Sequence, residues 1–448
     1  MTGARHPDTH GVGRLAFFDR LLFAAAVAVP LAVLVAVSTR VGVSLVGLAL
    51  GALLLGKIVI GLRFRSSAGA RAMPSGDPAL RVCAVIPAYN EDPAFLVAAI
   101  RSMLAQQRRP DRLHVVDDGS GDDGSSAAAA RDVLSAEAGD LEWEVTRLAT
   151  NQGKRAALAV GFGRDPLADI YLCVDSDTVL EPAAIAEGLG PFADPGTSAV
   201  TGFVMAHNWR INWLTRLVDL RYVSAFLTER AAYSYFGAVL CCCGSLSFYR
   251  ADVVRANLAD FVDQRFLGHV ATFGDDRRLT NYALRAGRVV LCPTARAATG
   301  VPERIPHYLR QQIRWNKSFM RESAWVLGTF PLRHPAFWLT LFEVVTWALF
   351  GLLLTAAIVL CLLIGTAPVP WATLGTFIAA TAYLRNAAYL ATIRPGMSRR
   401  DRLATLFLAP LYGALHLGVL VPLRLWALLT LRRGAWGTRH QIELAYAP

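Results

Sequence analysis

Three of the carboxylate pairs in the sequence are of types and spacings that could do chemistry. "DDGS" holds Asp117 and Asp118, "DSDT" holds Asp175 and Asp177, and "FGDDRRLTN" sets Asp275 and Asp276 against Arg277 and Arg278. In extended backbone, residues two apart point the same way, so Asp175 and Asp177 present two carboxylates on one side. Such a pair suits Mg2+ or Mn2+, which take a few protein oxygens plus substrate phosphate. "NQGKR" supplies Lys154 and Arg155 for phosphate charge, and "PAYNED" supplies Tyr89 as a flat face for a base, with Glu91 and Asp92 as acceptors. Singly these are ordinary turns and helix starts. Together they describe a nucleotide-diphosphate site with a divalent ion. No G-x-x-x-x-G-K-[ST] or G-x-G-x-x-G accompanies them, which disfavours nucleoside triphosphatases and dinucleotide enzymes. "FGDDRRLTN" by itself fits a surface ion-pair cluster, half of a metal site, or a base with its support.

The elements that must position these groups read as α/β. Short β-branched runs at 82–86, 113–116, 143–148, 170–174, 199–204 and 289–292 alternate with helical stretches such as 93–106 and 154–163. Strands alternating with helices imply a mainly parallel sheet with right-handed crossovers. Ligands on such sheets bind beyond the carboxyl ends of the strands, where the unusual residues fall.

Around this domain the composition changes. The 448 residues are 54% hydrophobic and 18% charged, below the roughly 25% charge of soluble domains. Apolar stretches at 15–37, 41–62, 336–365 and 369–393 are long enough to span about 30 Å of hydrocarbon, and 403–431 is a fifth. The last is too short for two spans and too long for one, so an entering and returning segment broken at Pro410 is expected. The first stretch lacks a cleavage site and a second span follows at once, which argues against an export signal. Arg63, Arg65, Arg71, Arg394, Arg399, Arg400 and Arg402 flank the middle domain or fill a later loop, which places that domain in the cytosol. The net charge of +11 then reflects topology and attraction to anionic lipid and substrate; no basic stripe interleaved with aromatics points to nucleic acid. None of the seven cysteines has C-x-x-C spacing, and Cys241–Cys243 read as small buried side chains in a reducing compartment. Glu343, Arg385 and His416 lie inside apolar stretches, where ionisable groups face a bundle interior or a wet cavity.

"VIPAYNE", "VVDDGS", "NQGKR", "VDSDT", "FGDDRRLTN" and "QQIRWNKSFMRE" occur in the order used by family 2 processive glycosyltransferases. Within that family the chain resembles the bacterial class I hyaluronan synthases, through "LTRLVDLRYVSAFLTERAA", "FEVVTW", "PLYGALHLGVLVPLRLW" and "WGTR". The likeness runs from about residue 82 to 441. It implies a GT-A (nucleotide-diphospho-sugar transferase) cytosolic domain inserted between N- and C-terminal transmembrane helices. The implied divisions are two membrane helices in 1–65, the transferase domain at 66–304, and an interfacial region with Q-x-x-R-W at 305–333. Membrane and interfacial helices at 334–431 and a cytosolic tail at 432–448 follow.

By the same resemblance, Tyr89 stacks on uracil, Glu91 and Asp118 contact base or ribose, and Lys154 approaches the pyrophosphate. Asp175 holds the nucleotide, Asp177 is the metal ligand with Asp175 beside it, and Trp436 and Arg439 return to the nucleotide pocket. Gln311, Arg314 and Trp315 form Q-x-x-R-W, with Arg314 meeting diphosphate charge and Trp315 bordering the acceptor sugar. Asp276 matches the acidic residue that acts as base, with Asp275 as its support. Ser245 departs from the family, which often has proline there, in a stretch expected near the acceptor.

The resemblance implies polymerisation of UDP-GlcNAc and UDP-GlcA into hyaluronan at the cell membrane, with Mg2+ or Mn2+ and secretion of the growing polysaccharide. A chitin-oligosaccharide or other β-glycan synthase using one UDP-sugar is the alternative. Transfer to a lipid phosphate carrier predicts an acceptor site without "QQIRW", and a catalytically dead transporter is opposed by intact Asp175, Asp177, Asp276 and Arg314.

Overall fold

The computed structural model describes residues 22, 24–30, 32–33, 45–70, 79–364 and 371–432. Trp436, Arg439 and most of the apolar stretch 15–37 lie outside the described residues.

The middle of the chain is built on one eight-stranded sheet. Its strands are β1 (Val82–Ala88), β2 (Arg112–Asp117), β3 (Glu142–Arg147), β4 (Ile170–Cys173), β5 (Thr178–Leu180), β6 (Thr197–Ala206) and β7 (Ser247–Arg250). A two-stranded hairpin, β8 (Arg265–Phe266) and β9 (His269–Val270), precedes the last sheet strand, β10 (Arg288–Thr299). The order is β3-β2-β1-β4-β7-β6-β10-β5. The first four strands run parallel, as do β6 and β10. β7 lies antiparallel between β4 and β6, and β5 is antiparallel to β10. The sheet is therefore mixed rather than mainly parallel. β5 and β7 are three and four residues long, too short to stand out as apolar runs in sequence.

β1 and β6 are buried along their whole length, which accounts for their near-continuous apolar composition. Helix Pro93–Leu104 starts where Asp92 accepts the Ala94 amide at 2.9 Å and proline occupies the first turn. Helix Asp275–Ala286 starts after Gly274, whose φ of 84° and lack of a Cβ are both required, since a Cβ would collide with Ser318.

Outside the sheet, long helices cover Leu45–Ala70, Ile305–Thr329, Pro335–Ile364 and Trp371–Asn386. Lys57 and Glu343 join the first and third by an ion pair at 2.5 Å. Arg385 reaches Glu229 at 2.5 Å, and Arg221 reaches the same carboxylate at 3.1 Å. In the C-terminal stretch, Arg399–Leu429 is one helical run of 31 residues, and among the described residues it is the one long and apolar enough to cross a membrane. Its α-helical pieces meet at Leu408, just before Pro410, and a π-helical turn occupies His416–Leu420.

Candidate functional site

The site assembles where the sequence places it, past the carboxyl ends of β1, β2 and β4. After β4 the backbone turns, closed by the Thr178 amide on the Asp175 carbonyl at 3.1 Å. Asp175 and Asp177 therefore do not sit on extended backbone, and their carboxylates take different partners. Asp175 Oδ1 receives Lys154 Nζ at 2.5 Å and Oδ2 receives the Ser245 hydroxyl at 2.9 Å. Asp177, buried, accepts from the Thr299 hydroxyl at 3.0 Å at the end of β10.

Lys154 comes into position through Asp118. That carboxylate accepts the Gln152 and Gly153 amides, each at 2.8 Å, and the Asn151 side chain at 3.1 Å. It thus shapes the loop that leads into helix Lys154–Gly163, and burial holds its pKa above the usual carboxylate value. Lys154 Nζ also lies 3.5 Å from Asp275 Oδ2. Burial opposes the ammonium charge, but Asp175 and Asp275 outweigh it and raise its pKa well above the usual lysine value. Arg155, expected beside Lys154 at phosphate, points the other way. It is buried and donates to the Phe261 and Phe273 carbonyls at 3.0 and 3.3 Å. Successive residues on a helix lie about 100° apart, so only one of the pair can face the site.

Asp275 and Asp276 open a helix, where its dipole favours negative charge. Asp275 turns toward Lys154. Asp276 Oδ1 accepts the Arg277 amide at 2.7 Å, and Oδ2 lies 3.5 Å from Cys241 Sγ. Burial and the neighbouring Asp275 raise the Asp276 pKa against the pull of Arg277 and Lys154. Lys154, Asp275, Asp276, Gly244 and Tyr249 line one recess. Cys241 therefore does more than fill space, while Cys242 is fully buried as expected.

Around this centre, Glu91 accepts from the Ser176 hydroxyl at 2.8 Å, which ties the loop after β1 to the turn after β4. Tyr89 is half-buried at the same loop. Gln311, Arg314 and Trp315 sit together on helix Ile305–Thr329. The Trp315 ring is 44% exposed and lies 6.2 Å from the Tyr222 ring. Gln311 Oε1 is buried with no hydrogen-bond partner among the described residues.

Sequence reasoning gave no site role to Tyr222, Cys241, Thr299 or Glu322. Glu322 holds the helix of Asp275 and Asp276 against that of Arg314 through its ion pair with Arg278 and by accepting from Asn281, and it also accepts from Gln264 before β8. Its signal was its place in "QQIRWNKSFMRE", seven residues, or two helical turns, after Trp315.

This sheet, with acidic and basic groups gathered past its strand ends, is the GT-A-like fold of nucleotide-sugar glycosyltransferases. A mannosyltransferase from Pyrobaculum calidifontis, solved with GDP-Man and Mn2+, superposes with a TM-score of 0.53 at 20% identity, covering 87% of this chain and 99% of its own. Residues 83–258 match the family described as Glycosyl transferase family 2. A hyaluronan synthase of Streptococcus pyogenes is 41% identical over 377 residues, 81% of this chain and 84% of the relative. An N-acetylglucosaminyltransferase of Mesorhizobium japonicum is 36% identical over 370 residues, 82% and 83% of the two chains. The chain belongs to the family 2 glycosyltransferases, among the relatives of the bacterial hyaluronan synthases.

Proposed function

We propose that this chain is a membrane-embedded, processive, inverting hexosyltransferase that polymerises UDP-GlcNAc and UDP-GlcA into hyaluronan and passes the polymer across the cell membrane. The observation that carries this reading is that Lys154, Asp275 and Asp276 line one recess, with Asp175 joined to it through its ion pair with Lys154. Identity of 41% to a hyaluronan synthase along most of the chain supports the choice of polymer.

In this reading Tyr89 stacks on uracil, while Glu91 and Asp118 shape the base and ribose end. Lys154 and Arg314 neutralise the diphosphate as negative charge develops on it. Trp436 and Arg439 complete the nucleotide side, and Gln311 and Trp315 border the acceptor sugar. The acceptor hydroxyl attacks the anomeric carbon and gives its proton to the Asp276 carboxylate. The bond from that carbon to the UDP oxygen breaks with its electron pair leaving on UDP, and the configuration inverts. A carboxylate whose pKa is raised is the stronger base for this transfer. Asp275 holds Lys154 and opposes loss of charge from the centre.

Asp177 and Asp175 are the residues that would hold Mg2+ or Mn2+. Among the described residues there is no group of three or more His, Cys, Asp or Glu side chains placed to hold a metal. Asp175 already accepts from Lys154 and Ser245, so Asp177 would be the principal carboxylate of an ion that completes its shell with substrate phosphate and water. Bound there, the ion supplies positive charge to the leaving diphosphate.

Helices Leu45–Ala70 and Pro335–Ile364 have 26 and 30 residues, which at 1.5 Å per residue exceed roughly 30 Å of hydrocarbon. Together with Arg399–Leu429 they support membrane anchoring at 1–65 and 334–431 around a cytosolic transferase domain at 66–304. The helix at 305–333 then lies at the interface, and 432–448 returns to the cytosol. Membrane lipid surrounds the anchoring helices.

The test is synthesis by the purified full chain in lipid, given each UDP-sugar singly and both together. High polymer only with both sugars, digestible by hyaluronidase, is the expected result. Polymer from UDP-GlcNAc alone would instead favour a chitin-like product, the reading that the 36% identity to an N-acetylglucosaminyltransferase supports.

A further inference from the structure

Gly244 lines the recess of Lys154, Asp275 and Asp276, and Cys241, three residues earlier, stands beside Asp276. Gly244 passes so close to the Lys154–Asp175 pair that a Cβ there would stand 2.9 Å from Lys154 Nζ and 3.4 Å from Asp175 Oδ1. The next residue, Ser245, is 5% exposed and donates its hydroxyl to Asp175 Oδ2 at 2.9 Å. Lys154 occupies the other oxygen at 2.5 Å. An aspartate carboxylate has a broad, roughly two-fold torsional preference about its last bond, so an ion pair on one oxygen leaves its plane loosely set. A second donor on the other oxygen sets it.

We propose that Ser245 is a positioning residue of the donor-sugar site, whose hydroxyl fixes the plane of Asp175 and thereby aims the Lys154 ammonium at the diphosphate. This places Ser245 on the nucleotide side, not on the acceptor side expected from sequence. It rests on the reading of Lys154 and Asp175 as nucleotide-binding residues. Lys154 has three N–H donors, and Asp175 and Asp275 fix its direction. With one fewer donor on Asp175, its plane would be held less firmly, the ammonium would follow it and the phosphate contact would weaken. The chemistry served is recognition of a nucleoside diphosphate, common to every sugar the enzyme uses. Loss of Ser245 therefore weakens both donors by the same factor.

The experiment is calorimetric titration of UDP into the full chain with Mg2+, paired with donor kinetics. Ser245→Ala is expected to raise the UDP Kd and the KM of both UDP-sugars by about 5- to 20-fold. This is the lower part of the roughly 10- to 150-fold scale of a hydrogen bond to a charged group and below it, because the effect reaches UDP only through Asp175 and Lys154. kcat should fall by a smaller factor than KM rises, because the Lys154 ammonium meets the charge already on the bound diphosphate as well as the charge that develops as UDP leaves. Ser245→Thr keeps the hydroxyl and restores affinity. In a Lys154→Gln background, Ser245→Ala should cost little more, since the two residues act on one carboxylate. Unchanged UDP affinity in Ser245→Ala overturns the positioning role, as does full additivity with Lys154→Gln. A wild-type chain that does not bind UDP overturns the nucleotide-sugar reading and this role with it. If the alanine variant lacks a thermal transition, Ser245→Cys, similar in shape but a weak donor, carries the same test.

Discussion

Arg278 and Glu322 form an ion pair at 3.1 Å with 4% and 2% of their side chains exposed, and it joins the helix of Asp275 and Asp276 to that of Arg314 and Trp315. Asn281 and Gln264 donate to the same carboxylate at 3.1 and 2.7 Å. Removing one partner of such a pair leaves a buried charge, at a cost of about 3–5 kcal/mol. Glu322→Ala should therefore lower the thermal midpoint by roughly 2–4 °C per kcal/mol lost. Arg278→Met with Glu322→Leu should lower it less than either single change. Thermal scans of the three variants decide; additive losses would mean the pair is not coupled.

Asp276 combines function and instability. Its folded pKa is raised, first by burial and then by Asp275, so the folded state takes up the proton more readily than the unfolded one. The cost of charging it is absent below the unfolded value near 4 and grows as pH rises through the folded value. Asp276→Asn should remove that cost at neutral pH and raise the thermal midpoint, while turnover falls by about 10²–10⁴. The acid limb of the wild-type kcat/KM profile should lie above pH 4. A variant that still polymerises at the wild-type rate would refute the base.

Lys154 and Arg155 are neighbours with opposite expected signatures. Lys154→Gln should weaken UDP binding by about tenfold or more, as loss of a charge-assisted contact does. Arg155→Gln strands the Phe261 and Phe273 carbonyls and should lower the thermal midpoint, with donor KM unchanged in the folded fraction. Donor kinetics beside thermal scans separate the two; a raised KM in Arg155→Gln would return it to the phosphate site.

Chelation of divalent ions should stop synthesis, and Mg2+ or Mn2+ should restore it. Asp177→Asn is expected to raise the ion concentration for half-maximal rate by about 10–100-fold, the scale for loss of a metal-site residue. Metal titration of activity at saturating UDP-sugars measures this. An unchanged midpoint would move the ion away from Asp177.

The α/β class and the strand-end placement of the candidate residues are legible in the sequence. Those features are local: β1, β2 and β4 are apolar runs that end at turn residues, Asp118 and Asp175 follow β2 and β4 within two positions, and Lys154 and Asp276 stand in the first turns of helices. The helices at 45–70, 335–364 and 371–386 also coincide with apolar stretches readable in one dimension. Only the tertiary structure decided who faces whom. Asp175 pairs with Lys154 and Ser245 across 21 and 70 residues, and Asp177 with Thr299 across 122. The turn after β4, the inward rotation of Arg155, the antiparallel β7 and the π-helical turn at His416–Leu420 belong to the same category. Residue type and local period constrain neighbours a few positions away. Partners brought together by sheet order and helix packing are set by the burial of the whole chain, which no single segment contains.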